Sequence, residues 1–431
     1  MRVLWIAPNG GKYKSNVIKG TGGWIGALQE ELIKIEPDLH LGITFPSSDD
    51  ERLRDGNVTY FPVRVKNSPN NLQLIRYLIS YDRKKLVAKL KDRMLEVINE
   101  FKPDVVHVWG LENMYAEIVP EIKCPFVVHI QGFMTPIYTS YFSPGFSLLN
   151  LKKMDTIWNP RNWGYKLLNL SQIGLYNGYK KRSEIEIRVS PYIKYWMGRT
   201  EWDREISKLL SPRSTYFHCD EMVRSDFDGC RWKYHYNGIL HVQSSISQYW
   251  YKGIDVILKT AYILNTLGER IEWNVYGIKP NHRLVSYFEK SLGIKAADVG
   301  VVFRGYVDGA SIKASLLECD VYMHPSNIEN SSNAIAEAMM LGVPTVAQFV
   351  GGNPTMLKNG SGILVSQGEP YIICSSLLKM KNEEVATMYS EKALTISKQR
   401  QNNEKILSDL LNIYSTVAND KDFHRYNNSS I

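Results

Sequence analysis

Two stretches of the chain each alternate short apolar runs with segments of helical periodicity, and this alternation restricts the possible folds. In the first stretch, the apolar run 3–7 is typical of a strand, and apolar residues then recur at helical spacing between 24 and 35. A longer amphipathic segment, 86–101, precedes strand-like runs at 105–109 and 126–130. Strands that alternate with helices predict βαβ units and a parallel sheet.

A second series of the same kind begins after about residue 236. It contains a helical pattern over 254–264, a late helical stretch over about 383–417, and strand-like runs at 239–242, 273–276, 301–303, 321–323 and 345–347. The sequence therefore predicts an α/β protein with two doubly wound domains, over 1–230 and 231–400. We expect a C-terminal helix over 401–418 that packs back on the first domain. The polar segment 419–431 has few apolar residues and predicts a disordered tail.

Length and composition exclude several classes of protein. With 431 residues, 44% hydrophobic and 22% charged, the chain resembles ordinary soluble proteins. No window reaches the ~18 apolar residues of a membrane-spanning helix, and the first apolar run is too short for a signal peptide. The five cysteines show neither CxxC nor metal-ligand spacing. We therefore expect a cytoplasmic protein with reduced thiols and without structural zinc or disulfides.

The positive charge of the chain is concentrated in one segment. The formal net charge is +8, and residues 151–233 hold 16 Lys and Arg against 10 Asp and Glu. The same segment contains five of the ten tryptophans: Trp158, Trp163, Trp196, Trp202 and Trp232. Interleaved basic and aromatic residues suggest peripheral contact with the inner face of the membrane. The alternative is an aromatic-rich subdomain with a solvated basic face. Because no nucleic-acid-binding module is recognisable, we expect no nucleic-acid partner.

The richest motif follows the strand-like run 321–323, in the segment HPSNIENSSNAIAEAMMLGVP. Ser331, Ser332 or Asn333 can cap a helix, whose first free N–H groups would bind phosphate. Gly342 is placed to end that helix.

Two glutamates, Glu329 and Glu337, lie eight positions apart in this segment. On one helix they would be about 12 Å apart along the axis. This exceeds the ~5 to 5.5 Å of a nucleophile and acid pair in a retaining hydrolase. The spacing instead favours contacts with two parts of an extended ligand. Two surface glutamates are the alternative.

The sequence EAMMLGVPTVA from Glu337, followed by Gly351 and Gly352, resembles the nucleotide-sugar site of family-4 retaining glycosyltransferases of the GT-B fold, of the type that assembles bacterial surface polysaccharides. The likeness is strongest over 237–366. It implies two Rossmann-like domains facing across a cleft and a nucleotide-sugar donor. It further implies that Glu337 holds the ribose hydroxyls and that Glu329 contacts the donor sugar near the reacting centre. The donor sugar and phosphate would also meet Asn330, Ser331, Ser332 and Asn333.

The resemblance extends to the sequence YKGID, which begins at Tyr251, and implies that Lys252 binds the donor diphosphate. A cation there would stabilise the leaving group as its charge grows. A lysine that merely starts a helix is the alternative. Family members commonly carry an arginine about five residues earlier, where this chain has none. Serine hydroxyls and backbone amides, Arg304 or Arg199 would then take its place. Arg199 lies in a segment, 198–204, that resembles the acceptor side of polysaccharide-assembling members.

Two N-terminal motifs complete the resemblance. The sequence GTGGWIG from residue 20 implies that Gly22 and Gly23 lie beside the donor phosphate; a merely permissive loop is the alternative. Its spacing departs from the dinucleotide-binding fingerprint, which disfavours an NAD-dependent oxidoreductase. Where many members carry a histidine in the cleft, this chain has Gln131, which can bind a sugar hydroxyl or steady a developing charge. We expect His129, two positions earlier, to pack within its strand.

These features together predict a retaining glycosyltransferase of surface polysaccharide synthesis, with Glu329, Lys252 and Gln131 at the reacting centre. It would transfer a sugar from a nucleotide-sugar to a saccharide or lipid-linked saccharide, without a metal ion and with no cofactor besides the donor. One alternative is another GT-B enzyme, such as a nucleotide-sugar epimerase or a phosphorylase. The other is a non-catalytic nucleotide-sugar-binding protein, which the missing arginine and Gln131 keep open.

Overall fold

A computed structural model describes residues 1–14, 23–64, 80–155, 171–223, 227 and 229–423. The chain divides into two compact units. Unit 1 comprises Met1–Tyr138, Leu151–Arg224 and Asn402–Ile431, and unit 2 comprises Thr139–Asn150 and Ser225–Gln401.

Unit 1 is built on a twisted sheet whose strands lie in the order β3-β4-β2-β1-β5-β6-β7-β8. All described neighbours pair in parallel except β3 and β4. The strands are β1 (Arg2–Ile6), β2 (His40–Ser47), β3 (Leu53–Asp55), β4 (Val58–Arg64), β5 (Val105–Trp109), β6 (Phe126–His129), β7 (Tyr195–Gly198) and β8 (Thr215–His218). The chain leaves β1 for one side of the sheet and later returns to β5 on its other side. Ligands of open parallel sheets bind at such a reversal, beyond the carboxyl ends of the strands.

The helices of the N-terminal half are α1 (Gly23–Ile35), α2 (Ser80–Phe101), α3 (Met134–Thr139), α4 (Leu148–Met154), α5 (Gln172–Val189) and α6 (Glu201–Leu210). Capping residues are visible at the sequence level in two of them. Ser171 accepts a hydrogen bond from the backbone of Gly174 at the start of α5, and Thr200 and Asp203 form a capping box at the start of α6.

Unit 2 contains a fully parallel sheet in the order β11-β10-β9-β12-β13-β14. Its strands are β9 (Leu240–Ser245), β10 (Ile271–Tyr276), β11 (Val301–Gly305), β12 (Val321–His324), β13 (Thr345–Gln348) and β14 (Ile363–Val365). Its helices are α7 (Ile254–Thr266), α8 (Arg283–Leu292), α9 (Gly309–Glu318), α10 (Asn333–Leu341), α11 (Asn353–Met356), α12 (Pro370–Leu378) and α13 (Glu383–Arg400). The strand order reverses at β9 and β12, so the loops after these two strands meet at the same edge.

The last described helix, α14 (Asn403–Ala418), belongs to unit 1. Its Tyr414 is fully buried, and the Tyr414 hydroxyl accepts a hydrogen bond of 2.9 Å from Trp5 Nε1. The same hydroxyl lies 2.6 Å from His107 Nδ1. The helix is therefore joined to the two central strands, β1 and β5.

The prediction of a disordered tail from residue 419 is wrong for residues 419–423. Phe423 is fully buried, with its ring centroid 5.4 Å from that of Phe126. Tyr195 donates a hydrogen bond of 2.8 Å to the carboxylate of Asp420. The packing of Phe423 and the hydrogen bond of Asp420 attach this otherwise polar segment to unit 1. Residues 424–431 lie outside the described residues.

The boundaries of the units differ from the predicted domain limits at 230 and 400. Residues 139–150 belong to unit 2, where Phe146 packs against Trp250 and Phe288 with centroid distances of 5.7 and 5.3 Å. The helical stretch predicted over about 383–417 contains two helices, α13 and α14. It breaks at Asn402, whose side chain accepts from the backbone of Lys405 and caps α14.

The described tryptophans of segment 151–233 give no support to the predicted membrane contact. Trp196 and Trp232 are buried, and Trp202 packs with its ring centroid 5.8 Å from that of Phe133. Trp158 and Trp163 lie outside the described residues. Among the helices that the structure describes, none has the length and hydropathy to cross a membrane. All five cysteines are free thiols.

Candidate functional site

Helix α10 begins and ends where the sequence predicts. Ser332 caps it by accepting a hydrogen bond from the backbone N–H of Ile335, and Gly342 ends it in the left-handed conformation at a φ of 76°. The cap and the stop are thus confirmed. The loop beyond the carboxyl end of β12 leads directly into α10. The first N–H groups of this helix are therefore at the ligand-binding edge of the sheet, where a helix start can bind an anion.

The loop after β9 packs closely against the loop after β12. Gly253 has a φ of 79°, and a Cβ atom at this position would lie 2.0 Å from the carbonyl oxygen of Pro325. Only glycine permits that approach. The backbone N–H of Asn327 also donates to the carbonyl of Tyr251 over 2.8 Å. These contacts fix the position of Lys252 relative to the loop that carries Glu329.

Lys252, Glu329 and His324 form a hydrogen-bonded cluster. Lys252 Nζ lies 2.6 Å from Glu329 Oε2, and His324 Nε2 lies 3.0 Å from the same oxygen. The side chains of Lys252 and Glu329 are 15% and 14% exposed, so the pair is shielded but still reaches the surface. Burial opposes ionisation of Glu329, but the charge of Lys252 and the hydrogen bond to His324 hold the pKa of Glu329 well below its usual range. The carboxylate is therefore ionised at neutral pH.

The two adjacent glycines of the motif, Gly351 and Gly352, support Glu329 from behind. A Cβ atom on Gly351, whose φ is 51°, would lie 1.8 Å from the carbonyl oxygen of Glu329. The backbone N–H of Gly352 donates to that oxygen over 3.0 Å. Glycine is therefore required by close backbone packing behind the carboxylate.

The four residues after Glu329 occupy different environments. Asn330 is only 7% exposed, and among the described residues neither atom of its amide has a hydrogen-bond partner. The Ser331 hydroxyl and the Ser332 backbone N–H face Met356 Sδ at 3.6 and 3.2 Å. Asn333 is exposed at the first position of α10. Because a buried unpaired amide is costly, Asn330 is the strongest ligand-binding candidate of the four.

Glu337 lies on α10 and is buried to 8% exposure. Glu329 is in the preceding loop, so the two glutamates do not lie along one helix. This geometry matches contacts with separate parts of one ligand. The assignment of Glu337 to the ribose stays a prediction.

The structure does not bring Arg304 to the cluster of Lys252. The Arg304 side chain lies on the edge strand β11, donates to Asn274 Oδ1 over 2.6 Å and lies 3.4 Å from Glu272 Oε1. It therefore interacts with β10, and its predicted role at the donor phosphate is not supported. Ser244 belongs to the serine-containing stretch SSISQY, where family members carry the arginine. It donates to the carbonyl of Met323 over 2.6 Å and is fully buried.

Arg199 belongs to unit 1 and follows β7. Its guanidinium forms an ion pair with Glu221, and its backbone N–H donates to Asp203 over 2.8 Å. Its side chain is buried to 5% exposure. Arg199 is therefore held by contacts within unit 1.

The remaining predicted residues also lie in unit 1. Gly22 lies outside the described residues, and Gly23 is the first residue of α1. Gln131 follows β6, and its Nε2 is buried without a hydrogen-bond partner among the described residues. His129 packs within the strand as predicted, with ring centroids 5.3 Å from His107 and 4.8 Å from Trp109. Burial lowers the pKa of His129, so it is neutral.

His324 has no role in the sequence-based predictions, yet its Nε2 atom lies 3.0 Å from Glu329 Oε2. The available signal was its position as the last residue of β12, five residues before the glutamate. In the described part of the chain, no group of three or more His, Cys, Asp and Glu side chains could hold a metal ion.

A comparison with protein-family models finds a match over the region that contains these residues. The model of the glycosyl transferases group 1 matches residues 238–382, the range that holds Lys252, Glu329 and Glu337. This matched range, 238–382, is called the group 1 domain for its similarity to that family. The resemblance noted in the sequence is thereby confirmed.

The chain is also similar to a curated bacterial protein. WcaL of Salmonella typhimurium, whose name assigns it to colanic acid biosynthesis as a glycosyltransferase, is 27% identical over 176 residues. That match covers 38% of this chain and 42% of WcaL, so the chain spans about two fifths of this relative's length.

Solved structures resemble nearly the whole chain, beyond the group 1 domain alone. Sucrose-phosphate synthase of Thermosynechococcus elongatus superposes with a TM-score of 0.66 at 10% identity, covering 96% of this chain and 98% of that one. Anabaena HepE, solved with UDP and glucose, gives 0.60 at 15% identity, covering 96% and 100%. At such identities the likeness establishes the fold. The predicted GT-B class, with two parallel-sheet domains, is confirmed.

Proposed function

We propose that this protein is a retaining glycosyltransferase that moves a sugar from a nucleotide-sugar to a saccharide or lipid-linked saccharide in surface polysaccharide synthesis. The observation that carries the proposal is the Lys252–Glu329 ion pair at the start of α10, inside the group 1 domain. The relative named for colanic acid biosynthesis supports the polysaccharide context. The neighbour solved with UDP and glucose supports a nucleotide-sugar donor.

In the proposed reaction the bond between the sugar and the diphosphate breaks first. Lys252 and the N–H groups at the start of α10 stabilise the negative charge that grows on the departing diphosphate. The acceptor hydroxyl attacks the anomeric carbon from the face that the diphosphate leaves, and a phosphate oxygen takes the hydroxyl proton. Because the attack occurs on the same face, the anomeric configuration is retained.

The proposal gives each site residue one role. Glu329 and the Asn330 amide bind hydroxyls of the donor sugar, and Glu337 binds the ribose. Ser331 and Asn333 contribute backbone N–H groups, and Ser332, whose own N–H donates to Met356 Sδ, contributes by capping α10. Gln131 binds a sugar hydroxyl or steadies a developing charge, and Gly22 and Gly23 bind the donor phosphate. Lys252 supplies the positive charge at the diphosphate, so the reaction as proposed uses neither a metal ion nor a cofactor besides the donor.

A transfer assay tests this function. The full chain is incubated with UDP-glucose, and in parallel with other sugar nucleotides, in the presence of methyl glycosides or polyprenyl-diphosphate-linked saccharides and EDTA. We expect acceptor-dependent nucleotide release and a product whose anomeric coupling in proton NMR matches that of the donor. An inverted product would contradict retention, and loss of activity in EDTA would contradict metal independence. Conversion of the sugar nucleotide without acceptor would indicate an epimerase instead, and a requirement for inorganic phosphate a phosphorylase. Binding without any turnover would indicate a non-catalytic protein.

A further inference from the structure

A carboxyl group that the sequence motifs did not single out lies on the end of the central strand β5. Gly110 follows β5 with a φ of 75°, and a Cβ atom on it would lie 2.0 Å from Glu112 Oε2. The Glu112 side chain therefore folds back onto the backbone at the carboxyl end of the strand. Only glycine at position 110 leaves room for it there.

The neighbouring strand brings an amide to the same edge. Trp109 of β5 and His129 of β6 are register partners, and the Gly110 N–H donates to the carbonyl of His129 over 2.9 Å. The two strands thus end side by side, with Glu112 after one and Gln131 after the other. This is the edge of a parallel sheet at which ligands bind.

Both groups have unused hydrogen-bonding capacity. Glu112 Oε2 and Gln131 Nε2 are shielded from solvent, and neither has a hydrogen-bond partner among the described residues. One is an acceptor and the other a donor. Shielded polar atoms without partners cost free energy, so this pair is suited to a ligand group that both donates and accepts.

The charged groups around Glu112 come from two other elements and are largely engaged elsewhere. Glu186 of α5 accepts hydrogen bonds of 2.8 Å from the backbone N–H groups of Met134 and Thr135. Arg182 of α5 donates to the carbonyl oxygen of Glu112 over 3.4 Å, not to its carboxyl group. Arg199, after β7, forms its ion pair with Glu221. None of these groups takes up Glu112 Oε2, which is therefore left for a ligand.

We propose that Glu112 and Gln131 together bind one hydroxyl group of the acceptor saccharide. The hydroxyl donates to the carboxylate of Glu112 and accepts from Nε2 of Gln131. This inference rests on the proposed function, because it takes the acceptor to be a saccharide. Glu112 is a binding residue in this account, and no bond to it forms or breaks.

The ionisation of Glu112 provides a signature for this contact. Burial, with a contribution from the charge of Glu186, raises the pKa of Glu112 to about 7 against the opposing charges of Arg182 and Arg199. A hydroxyl binds an ionised carboxylate more strongly than a neutral carboxyl group. Affinity for the saccharide should therefore increase as pH rises through about 7.

Saturation-transfer NMR with the full chain tests the proposal, using the methyl glycosides of glucose, galactose, mannose and N-acetylglucosamine as probes at pH 5.5 and 8. We expect at least one probe to bind the wild type about tenfold more tightly at pH 8, in line with a hydrogen bond to a charged group. Glu112→Gln should abolish this pH dependence. Gly110→Ala, which displaces the carboxyl group without removing it, should weaken binding at pH 8. Glu117→Gln, a change nearby in the chain, should behave like the wild type.

Binding with the same pH dependence in Glu112→Gln, or no binding of any probe by the wild type, would overturn the proposal. Stabilisation by sugar nucleotides, measured on the same samples, separates this outcome from failure of the proposed function. If nucleotides stabilise all variants equally while the glycosides show no dependence on Glu112, only the acceptor contact is wrong. If no nucleotide stabilises the wild type, the proposed function itself is wrong.

Discussion

Lys252 and Glu329 are 77 residues apart in the chain, yet their side chains lie 2.6 Å from each other. β9 and β12 are adjacent in the sheet, and each of the two residues lies in the loop that follows its strand. In this arrangement Lys252 is neutralised by Glu329. A diphosphate bound beside Lys252 would compete for its charge and free Glu329 to accept hydrogen bonds from the donor sugar. The pair would thereby couple binding of the phosphate to binding of the sugar.

Replacement of Lys252 with alanine should slow sugar transfer by ~10²-fold, because the departing diphosphate loses its stabilising charge. The measurement is kcat/KM with the best sugar nucleotide. Lys259→Ala is the matched control, since Lys259 forms an ion pair of 3.1 Å with Asp255 in the same unit. A loss below threefold in Lys252→Ala, or an equal loss in the control, would mean that another cation holds the diphosphate.

Replacement of His324 with alanine should lower the transfer rate by about tenfold, because Glu329 loses one of its two hydrogen-bond donors. Since His324 is 2% exposed, the melting temperature must be recorded beside the kinetics. His324→Gln, which keeps a donor, should recover part of the activity. If His324→Gln is no better than alanine at equal stability, the hydrogen bond to Glu329 is not what matters.

The raised pKa of Glu112 also predicts how stability depends on pH. The folded state binds a proton up to about pH 7, whereas the ordinary pKa of this carboxyl is 4.5. Stability should therefore fall as pH rises from about 4.5 through 7, where the folded protein must ionise a buried group. Glu112→Gln removes this loss, so its melting temperature should exceed that of the wild type more at pH 8 than at pH 4.5. A difference that does not change with pH would show that Glu112 titrates normally.

Replacement of Tyr414 with phenylalanine should destabilise unit 1 by about 1 to 3 kcal/mol. The change removes the hydroxyl that contacts Trp5 Nε1 and His107 Nδ1, and leaves both buried nitrogens without this partner. A fall of several degrees in melting temperature is expected, measured by circular dichroism. Tyr371→Phe, at a residue 70% exposed, should change it little. Equal shifts in the two variants would argue against the contribution of the hydroxyl.

The sheets and the ends of α10 were predictable from the sequence because they depend on local signals. The strands of both sheets, such as β5 and β12, are short apolar runs, and the ends of α10 follow from the chemistry of Ser332 and Gly342. The two glycines behind Glu329 were visible as a motif. Only the structure shows why glycine is required there: a Cβ atom on Gly351 would collide with the carbonyl oxygen of Glu329.

What the sequence could not predict depends on contacts between distant residues. Phe146 joins unit 2 through Trp250, 104 residues later, and Phe423 is buried against Phe126 and Tyr195. The positive charge of Arg304 suggested a role at the donor phosphate. In the structure its side chain instead contacts Glu272 and Asn274 on the adjacent strand. Glu112 was overlooked because its burial arises from the fold at Gly110, which no periodic pattern reveals.

The most direct test of the central claim is a thermal-shift panel with UDP-, GDP-, ADP- and CMP-sugars on the wild type, Glu337→Ala and the surface control Glu384→Ala. We expect a saturable rise in melting temperature for one nucleotide class in the wild type and in the control. We expect no such rise in Glu337→Ala, because the ribose loses its charged hydrogen-bond partner. No stabilisation of the wild type by any sugar nucleotide, or an undiminished rise in Glu337→Ala, would contradict the account.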